Sequence, residues 1–282
     1  MSQKIALLLS GNLRTFFYNN NNIANTYLEL ANSQDIDIFI YTDNNDFYYN
    51  DCQYFSENNK EKVLGINDDE RRFYKNIDFI SYDEASKIIK KSLTEIFGNR
   101  LKKLYIDDFN PNKIDTIYDK NNEYHVTFMN NPYSNSIRKQ ALIGQQYKVY
   151  KCYNLIQDYE KENNIQYDII IKSRFDVLLT NLNKINIRSL NFENNIYLYN
   201  FGNYISDGWA IGDKFIMSKY CNYYNYISCN IFNNIYSPDG ANIKDGDSDS
   251  CEYGLTYLIK NIHKYNFYHL DVNEISYKFY NK

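Results

Sequence analysis

The chain has 282 residues, 44% hydrophobic and 23% charged, enough apolar material for a sizeable core, which excludes disorder of the whole chain. Its 31 basic and 35 acidic residues leave a net charge of −4, so the basic footprint of a nucleic-acid partner is missing. No stretch approaches ~18 consecutive apolar residues, so no transmembrane helix is expected.

The start, Met-Ser-Gln-Lys, runs into an apolar segment without a small-residue cleavage site, and a secretory signal is not expected. Five cysteines (Cys52, Cys152, Cys221, Cys229, Cys251) stand at unpatterned spacings that suit a reduced interior better than disulfides or a zinc site. Together these features predict a cytoplasmic protein, in the host cytoplasm if the chain is viral. Tyr (31) and Phe (17) are abundant while Gly (10) and Pro (3) are scarce. Asn, which is plentiful, can take the left-handed turn conformations that Gly usually supplies.

Lys4–Leu9 ("KIALLL") is a continuous apolar run, the pattern of a strand buried on both faces of a parallel sheet, and Ser10-Gly11-Asn12 ends it. Asn22–Asn32 has helical spacing, and Asp35–Asp43 ("DIDIFIYTD") reads as a second buried strand, completing a βαβ unit. Residues 46–72 show little periodicity. "IDFISY" (77–82) is a short strand candidate, Asp83–Phe97 an amphipathic helix, and "KLYIDDF" (103–109) a further strand. Ser136–Glu162 carries the strongest helix signal, with Leu142, Tyr147, Tyr150, Tyr153, Leu155 and Ile156 near a 3.6-residue period. Tyr167–Leu179 ("YDIIIKSRFDVLL") is a buried strand run interrupted by three charges. Then come a strand at Asn195–Phe201, a loop "GNYISDGWAIG", a helix at Asp213–Tyr226, an acidic insert at 237–250 and a last helix near Cys251–His263. Without repeats or a linker, the pattern predicts one α/β domain over residues 1–282. Its mostly parallel sheet has Lys4–Leu9, Asp37–Tyr41 and Asp168–Ile171 near the centre.

Three constellations can carry chemistry. Lys172, Arg174 and Asp176 alternate, so in one strand they share a face, and burying them costs several kcal/mol unless they leave the core or find partners. Placing Arg174 and Asp176 at the strand's carboxyl end resolves this, where open α/β sheets bind ligands. There they suit a diphosphate bridged by a divalent cation, or they simply pair with each other. Second, Ser10, Gly11 and Asn12 form the turn after the first strand and Arg14 can reach over a bound phosphate, although the turn is neither GxGxxG nor a Walker A loop. Third, Gly208 and Gly212 bracket the only Trp, Trp209, beside Asp207, giving either a stacking face for a sugar ring or a turn with a core Trp. The three histidines form no metal-ligand pair, and the acidic insert lacks the Glu of an EF-hand frame.

"KIALLLSGNLRTF", "DIDIFIYTD", "YDIIIKSRFDVLL", "YISDGWAIGDKFIM" and "CEYGLTYLI" stand in an order that resembles the GT-A-fold glycosyltransferases. The likeness is to the small nucleotide-sugar transferase-like proteins of low-GC genomes, including giant DNA viruses, and covers roughly residues 4 to 260 outside the middle region. The resemblance implies a Rossmann-like, mostly parallel sheet flanked by helices, with a nucleotide-binding half (about 1–180) and an acceptor-side half (about 181–282). It implies a nucleotide site at Ser10, Gly11, Asn12, Arg14, Thr42 and Arg174, a Mn²⁺ or Mg²⁺ ligand in Asp176, and an acceptor-side base in Asp207 or Glu252. Arg174-Phe175-Asp176 stands where the family has D-x-D, and its Arg can supply part of the charge neutralisation itself. The implied reaction moves a sugar from a nucleotide diphosphate-sugar donor to a hydroxyl acceptor, a glycan or a protein. A binding module that kept the fold without the full metal site, and a structural protein on a Rossmann-like scaffold, are the alternatives.

Overall fold

The computed structural model describes residues 3–11, 13, 23–43, 82–107, 121, 136–175, 177–180, 185–198, 207–227, 251–270 and 276–279. The strands are β1 (Ile5–Ser10), β2 (Ile36–Asp43), β3 (Leu101–Asp107), β4 (Ile169–Ser173), β5 (Val177–Thr180), β6 (Asn195–Leu198), β7 (Trp209–Asp213), β8 (Asn266–His269) and β9 (Ser276–Phe279). The helices are α1 (Ile23–Gln34), α2 (Tyr82–Phe97), α3 (Ser136–Asn163), α4 (Lys214–Cys221) and α5 (Cys251–Thr256), the last continued by a π-turn over Tyr257–Ile262. No helix among the described residues is long and apolar enough to cross a membrane.

The main sheet has seven strands in the order β3-β2-β1-β4-β7-β6-β8, and β5 pairs with β9 in a separate two-stranded sheet. β1 is parallel to both β2 and β4, β2 to β3 and β6 to β8, whereas β7 runs antiparallel to β4 and β6. Alternation along β1 and β2 explains the layers. Ile5, Leu7 and Leu9 join Ile36, Ile38 and Ile40 against α1 and α2, while Ala6, Leu8, Phe39 and Tyr41 face α3. Both faces are covered, which is why these strands read as unbroken apolar runs. One sheet draws strands from both halves of the chain.

Helix α3 follows the predicted span, but its buried stripe differs. Ile143, Gln146, Val149, Cys152, Ile156 and Glu160 face inward, while Tyr147, Tyr150 and Leu155 lie at the margin. The sparse glycines are compensated as the composition implies. Asp35, Asn164, Asn194 and Lys264 take positive φ, Asp35 and Asn164 directly after or near the ends of α1 and α3.

Several expectations are corrected. Tyr167–Leu179 is not one strand: β4 ends at Ser173 and β5 starts at Val177 in the other sheet, so Lys172 and Arg174 do not share a strand face. Lys172 stays in the core, wholly buried on the α3 side. The segment read as a loop around Trp209 contains β7, an interior strand, and Trp209 is 1% exposed, a core residue rather than a stacking surface. Gly212 is there for packing, since a Cβ would run into Ile216 Cγ2. The helix expected to Tyr226 is α-helical to Cys221 and then a 3₁₀ turn over Asn222–Tyr226. Residues 77–81 of the strand candidate, the irregular stretch 46–72 and the acidic insert lie outside the described residues, and Tyr82 opens α2.

Candidate functional site

The strand order reverses between β1 and β4: successive strands run outward from β1 on one side, and the chain returns to its other side with β4. In open α/β sheets a crevice forms outside the carboxyl ends of the strands at such a switch point, because the two connections leave in opposite directions. β7 is antiparallel and pairs Trp209 with Ser173, so its amino end lies beside the carboxyl end of β4. Asp207 and Gly208 thereby reach the same edge as Ser10 and Gly11.

On the β1 side, Gly11 turns the chain at φ +116°, a conformation that side chains disfavour, with open space where a Cβ would be. Its N–H donates to Tyr41 O at 3.3 Å, and its carbonyl accepts from Thr42 Oγ1 at 2.9 Å. Thr42 is wholly buried, so its hydroxyl holds the turn. Ser10 Oγ is buried without a hydrogen-bond partner among the described residues, leaving a polar atom in the turn that a ligand or water can satisfy.

On the β4 side, the Arg174 N–H donates to Gly208 O at 3.1 Å, fastening the backbone after β4 to the start of β7. The Arg174 Nη1 donates to Asp207 Oδ2 at 3.1 Å, with side chains 18% and 9% exposed. Gln145 Nε2, from α3, donates to the same Asp207 oxygen. Three residues later on α3, Lys148 forms a buried ion pair with Asp43 at the carboxyl end of β2. Helix α3 thus sends two polar side chains to carboxylates along this edge, and about four turns beyond Lys148 it meets β3 through Lys103 and Glu162.

Sequence reading placed Ser10, Gly11, Thr42, Arg174 and Asp207 at the site, and the fold gathers all five at one sheet edge. Asn12, Arg14 and Asp176 lie outside the described residues. Glu252 falls in the first turn of α5, with no side-chain position described. Gln145, Lys148 and Asp43 were missed. The signal was present as polar residues breaking the apolar stripe in the first half of α3, and as an acid closing a buried strand.

Among the described residues no three His, Cys, Asp or Glu side chains are placed to hold a metal ion. Of the carboxylates described at this edge, Asp43 meets Lys148, Asp207 meets Arg174 and Asp107 accepts from the Tyr41 hydroxyl, while the expected metal ligand, Asp176, lies outside the described residues. No protein-family model and no curated protein matches the chain.

Proposed function

We propose that the chain is a glycosyltransferase of GT-A-like fold, moving a sugar from a nucleotide diphosphate-sugar to a hydroxyl acceptor. The observation that carries the reading is the meeting, at the switch point, of the Ser10–Gly11 turn with the Arg174–Asp207 pair. A turn whose backbone is free of a Cβ lets a nucleotide approach β1 closely. A guanidinium matches phosphate oxygens and can neutralise the diphosphate as it leaves. A carboxylate beside it can take the proton of the acceptor hydroxyl. In a direct displacement, the acceptor oxygen bonds to the anomeric carbon while its proton passes to Asp207. The carbon–oxygen bond to the diphosphate breaks, and its electron pair leaves on the phosphate oxygen facing Arg174.

A second reading, a binding module for nucleotide-sugars, is favoured by the same ion pair, because a carboxylate bound to a cation is a weak base. A thermal-shift screen of nucleoside diphosphates and their sugars tests both. Uridine or guanosine diphosphate should raise the melting temperature, the stabilisation reaching ~2.7 kcal/mol at a hundred times the dissociation constant. Arg174→Ala should shrink the shift, and release of nucleoside diphosphate on adding acceptor separates enzyme from binding module. If no nucleotide at millimolar concentration moves the transition, both readings fail.

A further inference from the structure

We infer that the start of α4 and the turn before β8 form a docking patch for an anionic lipid surface, on the sheet edge opposite the candidate site. Phe215, in the first turn of α4, is 63% exposed, more than any other large hydrophobic side chain among the described residues, and Ile262 at the end of the π-turn is 49% exposed. The Tyr265 ring stands edge-on to Phe215, with centroids 6.2 Å apart. Lys219, one turn further along α4, places its Nζ 5.3 Å from the centre of the Phe215 ring, and Lys260 places its Nζ 5.7 Å from that of Phe267. Lys264 is exposed between His263 and Tyr265. Burial and the Lys219 ammonium together hold the His263 imidazole below its usual range, so α4 and the turn share one surface. Lys214 is a separate case, because it pairs with Glu160. The remaining lysines border the apolar side chains in a chain whose net charge is −4.

Strand direction fixes where this patch lies. β7 runs against β4, so the start of α4 stands at the amino end of β4, where the Lys214 N–H donates to Asp168 O at 3.0 Å. β6 is antiparallel to β7 and β8 is parallel to β6, so β8 begins at that edge too. Ser10, Gly11, Arg174 and Asp207 stand at the opposite edge, and a lipid surface bound here leaves the candidate site on the aqueous side. Phe215, Ile262 and Tyr265 fall far short of the ~800 Å² per partner that a stable protein interface buries. At a bilayer a few such side chains suffice. Aromatic rings settle at headgroup level, lysine stems lie along apolar surface, and anionic headgroups attract the ammonium groups. The carboxylate that acts on Tyr265, Asp213, turns its Oδ1 to the Ile216 N–H at 2.8 Å.

Flotation with phosphatidylcholine vesicles, with and without phosphatidylserine, tests the patch. The wild type should float with the phosphatidylserine vesicles, much less with phosphatidylcholine alone, and less again in high salt, which screens the lysines. Lys219→Gln should weaken vesicle affinity about fivefold, the worth of one basic side chain near an anionic surface. Phe215→Ser should weaken it about tenfold through lost apolar burial. Neither side chain belongs to the buried core, so circular dichroism should show both variants folded. Phe215→Trp keeps an aromatic ring suited to the interface and should bind like the wild type. Its fluorescence should be quenched by lipids brominated along the acyl chain, whereas that of Trp209, buried in the sheet, should not. Absence of flotation by the wild type overturns the proposal. So does flotation that neither Phe215→Ser nor Lys219→Gln weakens, because another surface then makes the contact. If sedimentation finds a dimer that Phe215→Ser splits, the face belongs to a second copy of the chain and the lipid surface is overturned. No nucleotide enters these measurements, so the proposed function stands or falls separately.

Discussion

The Tyr27 hydroxyl, on α1, meets the Ser173 hydroxyl at the end of β4, and it donates to Val177 O at 2.9 Å at the start of β5. Either hydroxyl can supply the proton between them, Val177 O being the other acceptor for Tyr27 and Arg174 O, at 3.3 Å, the other acceptor for Ser173. One buried side chain thereby clamps both ends of the turn that carries Arg174. Tyr27→Phe removes the clamp without opening a cavity. Unfolding free energy should fall by about 1–3 kcal/mol, the cost of stranding buried polar groups. Diphosphate affinity should fall with it, because the turn loses its anchor. Chemical denaturation and titration of the variant check both, and an unchanged affinity would show that the Gly208 contact alone positions Arg174.

Asp43 and Lys148 form a pair that is almost completely buried. Removing one partner leaves a charge in the interior, so Asp43→Asn or Lys148→Met should each cost about 3–5 kcal/mol. Asp43→Leu combined with Lys148→Met should recover much of that loss. Urea unfolding of the three variants decides; additive losses in the double variant would mean that the two groups act independently.

Burial holds the Cys152 thiol well above its ordinary range and pushes Cys221 up to about 12, against the pull of the Lys172 ammonium. Neither is a thiolate at pH 8, and neither is open to solvent. Iodoacetamide should leave both unmodified in the native chain and label both in denaturant, as read by peptide mass mapping. Rapid native labelling of either would contradict the packing of α3 against β1 and β2 and of α4 against β4.

Tyr41 and Tyr167 set the alkaline limit. Burial, and phenol hydrogen bonds to Asp107 and Asp37, raise both phenols far above the ordinary 10.0. The unfolded chain therefore loses these protons first as pH rises. The stability they contribute is complete below pH 10 and declines above it. Denaturation midpoints should be level from pH 8 to 9 and fall from about pH 10 upward. Tyr167→Phe should flatten part of that fall while costing about 1 kcal/mol at neutral pH.

Much of the scaffold was legible because burial on two faces writes itself as continuous apolar sequence. β1, β2 and the start of β4 show this, as does the long period of α3. β7 was hidden because Gly208 and Gly212 look like turn residues, and what makes that segment a strand is its pairing with β4, some forty residues earlier. β8 and β9 are four residues each, too short for any alternation to stand out. At the site, Arg174 and Asp207 were recognisable as chemistry-bearing residues. Their contact spans 33 positions and follows only from the antiparallel turn of β7 into the sheet. Lys172 broke the rule that a charge ends a buried run, and it sits on the face toward Cys221 instead.

The pairing of β1 with β4 joins positions such as Ile5 and Ile169, and next to it the Lys4 N–H donates to Asp168 across 164 residues. During synthesis β1 can dock with β2 early, but its other edge has no neighbour until β4 has left the ribosome. At 5–20 residues per second that interval is roughly 6–26 s. For that time an apolar strand exposes a row of unsatisfied N–H and C=O groups. Nascent chains halted before β4 should therefore be the species that chaperones hold, and the ones that aggregate when chaperones are removed. Extending the halted chain past Ser173 should relieve both.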